Sequence, residues 1–145
     1  MQETVPRSML RKNAKIELLK SVPLFERCSK RELGEIATLA DELDLPATRS
    51  LTREGQGGWE FIILVEGEAD VVRKGHVINQ LGPGDFVGEI ALITAQPRTA
   101  TVRTRGPSRI LVVSASGFRV LMRDVPSIQD KVMAALAARL SPEEF

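Results

Sequence analysis

Residues 60–85 read Glu60-Phe-Ile-Ile-Leu-Val-Glu66, Gly67-Glu68, Ala69-Asp-Val-Val-Arg73, Lys74-Gly-His76, Val77-Ile-Asn-Gln-Leu81 and Gly82-Pro-Gly-Asp85. Taken in order they are strand, turn, strand, turn, strand, turn. Runs rich in Val and Ile favour extended chain, and the Gly, Pro and Asp between them supply turn geometry. Such close spacing suits antiparallel strands rather than alternating strands and helices. Working outward, Glu42–Leu45, Arg49–Arg53, Ala100–Arg105 and Arg109–Ser114 read as further strands, with turn chemistry at Glu54–Gly58 and Gly106-Pro107. The expected fold is mainly β with flanking α-helices, an antiparallel β-roll or jelly-roll barrel.

The helices lie on either side. Residues 1–11 show no clear periodicity and are expected to form a flexible arm. From Lys12, Ile16, Leu18 and Leu19 suggest a short helix that stops before Pro23, because the residue preceding proline is pushed out of the helical region. Ser29 followed by Glu32 has the spacing of a capping box, and Leu33, Ile36, Ala37 and Ala40 continue it with helical periodicity, predicting a helix over Lys30–Ala40. Ser114 can cap a third helix carrying Phe118, Leu121, Met122 and Val125, and Pro126 interrupts it. A last helix over Ser127–Leu140 sets Ile128, Val132, Ala135 and Leu136, and then Arg139 and Leu140, along one side. The chain thus divides into an arm (1–11) and one domain (12–145): N-terminal helices over 12–40, the β-roll over 41–114 and C-terminal helices over 115–141.

With 145 residues the chain is long enough for one domain with a real core. Twenty Lys and Arg against nineteen Asp and Glu give a net charge of +1, so no global field attracts nucleic acid or an anionic membrane. The apolar runs are far shorter than the ~20 residues that span a bilayer. A single cysteine, Cys28, excludes an internal disulfide and offers no metal-ligand spacing, and it fits a soluble cytoplasmic protein. One histidine, His76, in a Lys-Gly-His turn, cannot furnish a metal cluster, and neither Cys28 nor any serine has a visible base partner. No metal, no catalytic cofactor and no enzymatic activity are expected. Trp59 reads as a surface or half-buried anchor and Asp85 as a turn former.

The chemistry concentrates in Gly84–Val102, within which Gly88-Glu-Ile-Ala-Leu-Ile93 precedes Pro97-Arg-Thr-Ala-Thr-Val102. Gly88 permits close backbone approach, Glu89 opens a turn or two of helix whose free N–H groups attract anions, and Arg98 offers a planar fork of donors to phosphate oxygens. The combination points to a sugar-phosphate site.

These residues resemble the phosphate-binding cassette of cyclic nucleotide-binding domains, found in catabolite-activator-type regulators, regulatory subunits of cAMP-dependent kinases and cyclic nucleotide-gated channels. Arg53-Glu54-Gly55, Phe61–Val65, Glu66-Gly67-Glu68 and Gly82–Phe86 fall at that family's order and spacing, so the resemblance covers roughly residues 15–140. It implies that Arg98, with Thr99, Gly88 and the backbone N–H groups of Ala91 and Ala100, holds the cyclic phosphate, and that Glu89 takes the ribose 2′-hydroxyl. Val71 and Leu81, sharing inward parity, would line the base wall beside Thr99. Threonine at position 99 accompanies cGMP in kinase-type members, yet other members carry it and take cAMP; the ligand is cAMP or cGMP, with a slight lean to cAMP. The last helix would act as a lid, with no obvious base-specific donor on it. The resemblance further implies an unidentified protein partner and a monomer or a homodimer through the C-terminal helix. The sequence stops at Phe145, without room for the helix-turn-helix of the transcription-factor branch, so a stand-alone sensor that does not bind DNA is expected. Two departures stand out. Arg49 replaces a usual glycine, and Gly57-Gly58 occupies a turn where an acidic residue is common; neither is expected to touch the cassette.

Overall fold

The computed structural model describes residues 7–58, 60–94 and 97–139. Among them the order is α1 (Arg7–Lys20), a 3-10 turn (Pro23–Phe25), α2 (Lys30–Leu39), β1 (Ala40–Leu45), β2 (Ser50–Thr52), β3 (Glu60–Glu66), β4 (Ala69–Arg73), β5 (His76–Leu81), β6 (Phe86–Val87), α3 (Glu89–Thr94), β7 (Thr101–Thr104), β8 (Ser108–Ser114), α4 (Ala115–Asp124) and α5 (Pro126–Arg139). Two four-stranded antiparallel sheets, β1-β8-β3-β6 and β2-β7-β4-β5, face each other. The mainly β architecture with flanking helices is the one expected.

β3 explains why its sequence is an unbroken apolar run. Phe61, Ile63 and Val65 point to one side and join Leu111 and Val113 of β8 against the helices. Ile62 and Leu64 point to the other side and meet Ala69, Leu81, Val102 and Ile110 between the sheets. A strand covered on both faces needs no polar alternation. Each fully buried Leu, Ile or Phe contributes about 1.5–3 kcal/mol of transfer free energy.

The helix starts follow their local signals. Ser29 accepts from the Glu32 amide at 3.1 Å while Glu32 accepts from the Ser29 amide at 2.8 Å, a complete capping box. Ser114 caps α4 through the Gly117 amide at 3.1 Å. Two expectations change. α1 begins at Arg7, within the stretch read as an arm, because nothing between Pro6 and Lys20 breaks a helix even though its apolar periodicity is weak; residues 1–6 lie outside the described residues. Pro126 begins α5 rather than merely interrupting a helix, since the first helical position needs neither its N–H nor a free φ. The two-residue β6 carries no sequence signal of its own; pairing of Ile62 with Val87 and Ile63 with Phe86 creates it.

α5 crosses back over both ends of the molecule. Ile128 and Val132 enter the helix-side core. Lys131 donates to Glu26 at 2.9 Å and to the Pro23 carbonyl, tying α5 to the 3-10 turn. The end of α5 reaches α3 and β6, where the candidate site lies.

Candidate functional site

A cavity opens between β4, β5 and the α3–β7 segment, lined among others by Val71, Leu81, Gly88, Glu89, Arg98, Thr99, Ala100 and Arg139. The structure therefore brings Val71, Leu81, Gly88, Glu89, Arg98, Thr99 and Ala100, all expected at the site, around one cavity; the side chain of Ala91 lies outside what is described.

Glu89 is fully buried. Its Oε1 accepts from Arg139 Nη1, and its Oε2, equally buried, has no hydrogen-bond partner. Burial pushes this carboxyl above its ordinary value, an effect opposed first by the charge of Arg139 and more weakly by Arg98. Arg98 is 8% exposed. Its Nη2 donates to the Glu60 carbonyl at 3.0 Å, whereas Nη1 is buried without a partner. Burial lowers its pKa, opposed by the charges of Glu60 and Glu89, and an arginine stays charged at neutral pH.

Among the described residues, the side chains lining the cavity thus include one orphaned acceptor and one orphaned donor, each buried where an unmade bond costs about 1–3 kcal/mol or more. Together they suit a ligand that carries a hydroxyl and an anionic oxygen. α3 is only six residues long, so an anion bound here would rest on Arg98 more than on a helix dipole.

Two backbone devices hold Arg98 in place. The Arg98 amide donates to Gln56 at 2.7 Å, and its carbonyl accepts from the Gly55 amide at 2.8 Å, so the cassette is pinned to the β2–β3 loop. Gly88 has φ +105°, and a Cβ there would lie 2.4 Å from the Glu60 carbonyl oxygen. Only glycine fits. Arg73 Nε donates to the Thr99 carbonyl at 3.0 Å and so steadies the residue nearest the base wall.

The fold of this cavity decides the family. A model of the cyclic nucleotide-binding domain matches residues 42–125, from β1 through α4. The chain belongs to the cyclic nucleotide-binding domain family. It is 33% identical over 127 residues to a cyclic nucleotide-gated potassium channel of Rhizobium etli, covering 87% of this chain and 36% of that protein. It is also 33% identical to a cAMP-dependent protein kinase regulatory subunit of Mycosarcoma maydis, covering 79% of this chain and 24% of that one. The chain therefore spans only about a quarter to a third of these relatives' length. Among solved structures, the regulatory domain of Toxoplasma gondii PKA with cAMP superposes with a TM-score of 0.78 at 25% identity, over 90% of this chain and 51% of that one. The regulatory subunit of a cAMP-independent protein kinase A from Trypanosoma brucei shares the fold alone, with a TM-score of 0.79 at 18% identity over 93% of this chain and 48% of that one. A shared fold does not name the ligand, and the side chains must.

Arg139 is the functional residue that the sequence concealed. The last helix showed no obvious base-reading donor, yet its last described turn delivers a guanidinium that binds Glu89 and donates to the Phe86 carbonyl at 2.7 Å. The guanidinium also lies 5.3 Å over the Phe86 ring, which stacks on Phe61 and, through it, on Phe118 of α4. A signal was available, since Ile128, Val132, Leu136 and Arg139 continue one helical stripe whose first three members are buried. Gly58 also departs from expectation. It does touch the cassette, because a Cβ built on it would sit 1.7 Å from Arg98 Nε. His76 and Asp85 are exposed, and Asp85 accepts from the Gly82 amide at 2.8 Å as a turn former does. Trp59 lies outside the described residues. No described helix is long and apolar enough to cross a membrane.

Proposed function

We propose that this domain binds a cyclic 3′,5′-nucleotide, with cAMP the preferred ligand, and relays the event through α5 without a catalytic step. The observation that carries the reading is the buried pair of orphaned atoms in one cavity, Glu89 Oε2 and Arg98 Nη1. A ribose 2′-hydroxyl can donate to the first, and an exocyclic phosphate oxygen can accept from the second. A cyclic 3′,5′-phosphodiester leaves that hydroxyl free and carries a single negative charge, matching one guanidinium. Val71 and Leu81 offer an apolar wall for a purine, with the Thr99 hydroxyl at its edge. The preference for cAMP is supported by the relatives named as cAMP-dependent kinase regulatory subunits. The output follows from position: α5 touches the site at Arg139 and the N-terminal 3-10 turn at Lys131. A ligand that binds one arrangement of α5 more tightly shifts the population toward it, by no more than that difference in affinity. A partner protein reading the exposed side of α5 would then sense occupancy.

Calorimetric titration with cAMP, cGMP and 5′-AMP tests the reading. Charge-assisted bonds contribute roughly 1.5–3 kcal/mol each, so Arg98→Ala, which removes the Nη1 donor, should weaken binding by about ten- to a hundredfold. Failure of both cyclic nucleotides to bind or to raise the melting temperature would refute the proposal. It would leave a ligand-independent interaction module of the same fold.

A further inference from the structure

We infer that Gly58 is a positioning residue for Arg98, forming with Gly88 a slot of two glycines that holds the guanidinium in its phosphate-binding pose. The inference rests on the reading of Arg98 as the phosphate-binding group. A Cβ at Gly58 would stand 1.7 Å from Arg98 Nε, 2.1 Å from Cζ and 2.2 Å from Nη2, and these are its three nearest neighbours. On the opposite side, a Cβ at Gly88 would stand 2.9 Å from Arg98 Nη1. The Glu60 carbonyl fixes the rotation about the end of the side chain by accepting from Nη2 at 3.0 Å. Nη1 is then the group left unbonded.

The two glycines are needed for different reasons. Gly88 has a positive φ and faces backbone, so any side chain there is strained and collides with an atom that cannot move. Gly58 is not among the positive-φ residues, and an alanine could adopt its backbone. The three atoms nearest to a Cβ there all belong to the far end of a flexible side chain. The inexpensive response to a methyl at position 58 is for the guanidinium to leave the Glu60 carbonyl and swing away. The fold survives and the phosphate site does not. Gly57 provides a contrast within the same loop, since a Cβ there meets nothing within 4 Å and its φ is also not positive.

Five proteins test this: the parent, Gly57→Ala, Gly58→Ala, Arg98→Ala and the double variant of Gly58→Ala with Arg98→Ala, the last judged against Arg98→Ala alone. Binding of cAMP is measured by calorimetry and stability without nucleotide by urea denaturation. Gly58→Ala should weaken cAMP at least tenfold while Gly57→Ala leaves affinity within twofold. In the Arg98→Ala background the further loss from Gly58→Ala should shrink to less than threefold, because none of the Nε, Cζ and Nη2 atoms that collide remains. Equal losses for both glycine variants, or the same fold-loss in both backgrounds, would assign Gly58 to the loop rather than to Arg98 and overturn the inference. If the parent itself does not bind, the reading of the site fails separately, and the stability cycle with Arg98→Ala still decides the contact. Gly58→Ala should then lower the unfolding midpoint only when Arg98 is present, and an equal drop without it refutes the slot.

Discussion

Replacing Arg139 by alanine removes the side-chain hydrogen-bond partner of a carboxylate that is fully buried, its other oxygen being unbonded among the described residues. Breaking a buried pair from one side typically costs about 3–5 kcal/mol, because the remaining charge is left uncompensated. Glu89 has an escape, which is to take up a proton. With an ordinary value of 4.5 and 1.36 kcal/mol for each pH unit, holding it neutral costs about 3.4 kcal/mol at pH 7 and about 0.7 kcal/mol at pH 5. Those figures cap the electrostatic loss. The Arg139 side chain retains 30% exposure, so water screens part of the pair and about 2–3 kcal/mol is expected at pH 7. Losing the bond to the Phe86 carbonyl adds about 1 kcal/mol at either pH. Urea denaturation of parent and Arg139→Ala at pH 7 and pH 5 measures both parts. The difference between them should fall by about 2 kcal/mol on acidification, and it should be largely absent at both pH values in a Glu89→Gln background. A loss that is the same at pH 7 and pH 5 would refute the assignment of Arg139 as the counter-ion of a buried carboxylate.

Glu89→Gln should change both stability and recognition. The folded pKa of Glu89 lies above its unfolded one, so its contribution is fully present below about 4.5 and is lost as pH rises through the folded value; the stability of the parent relative to Glu89→Gln should therefore decline as pH is raised from that point, as denaturation curves across pH will show. The same substitution should erode discrimination between cAMP and 2′-deoxy-cAMP, read by competition titration, and an unchanged ratio would remove Glu89 from the ribose site. Ser29→Ala removes the side-chain half of the α2 capping box, the bond from the Glu32 amide to Ser29 Oγ, and should cost about 1 kcal/mol in urea denaturation, without affecting nucleotide affinity.

Much of this protein was legible locally. Glu60–Glu66 reads as a strand because charges at both ends bracket five apolar residues, and the structure buries those five on two faces. Ser29 and Glu32 announce a helix start because their reciprocal bonds span only three residues. Gly88, Glu89 and Arg98 stood out because they lie within one short segment, and the structure sets all three around one cavity. What escaped was long-range or too short to have a period. β6 has two residues and exists through its pairing with β3, and α1 extends back to Arg7 without a strong apolar stripe to signal it.

Composition and local spacing were sufficient to determine a β-roll between helices and the chemistry of an anion site, since turn geometry, strand burial and capping depend on neighbours a few residues apart. The tertiary structure alone decided which groups complete that site. Arg139 meets Glu89 from fifty residues away, and Gly58 makes room for Arg98 from a different loop. An ion pair and a steric slot depend on distances in space, and no periodicity in the chain encodes a contact between elements that only packing brings together.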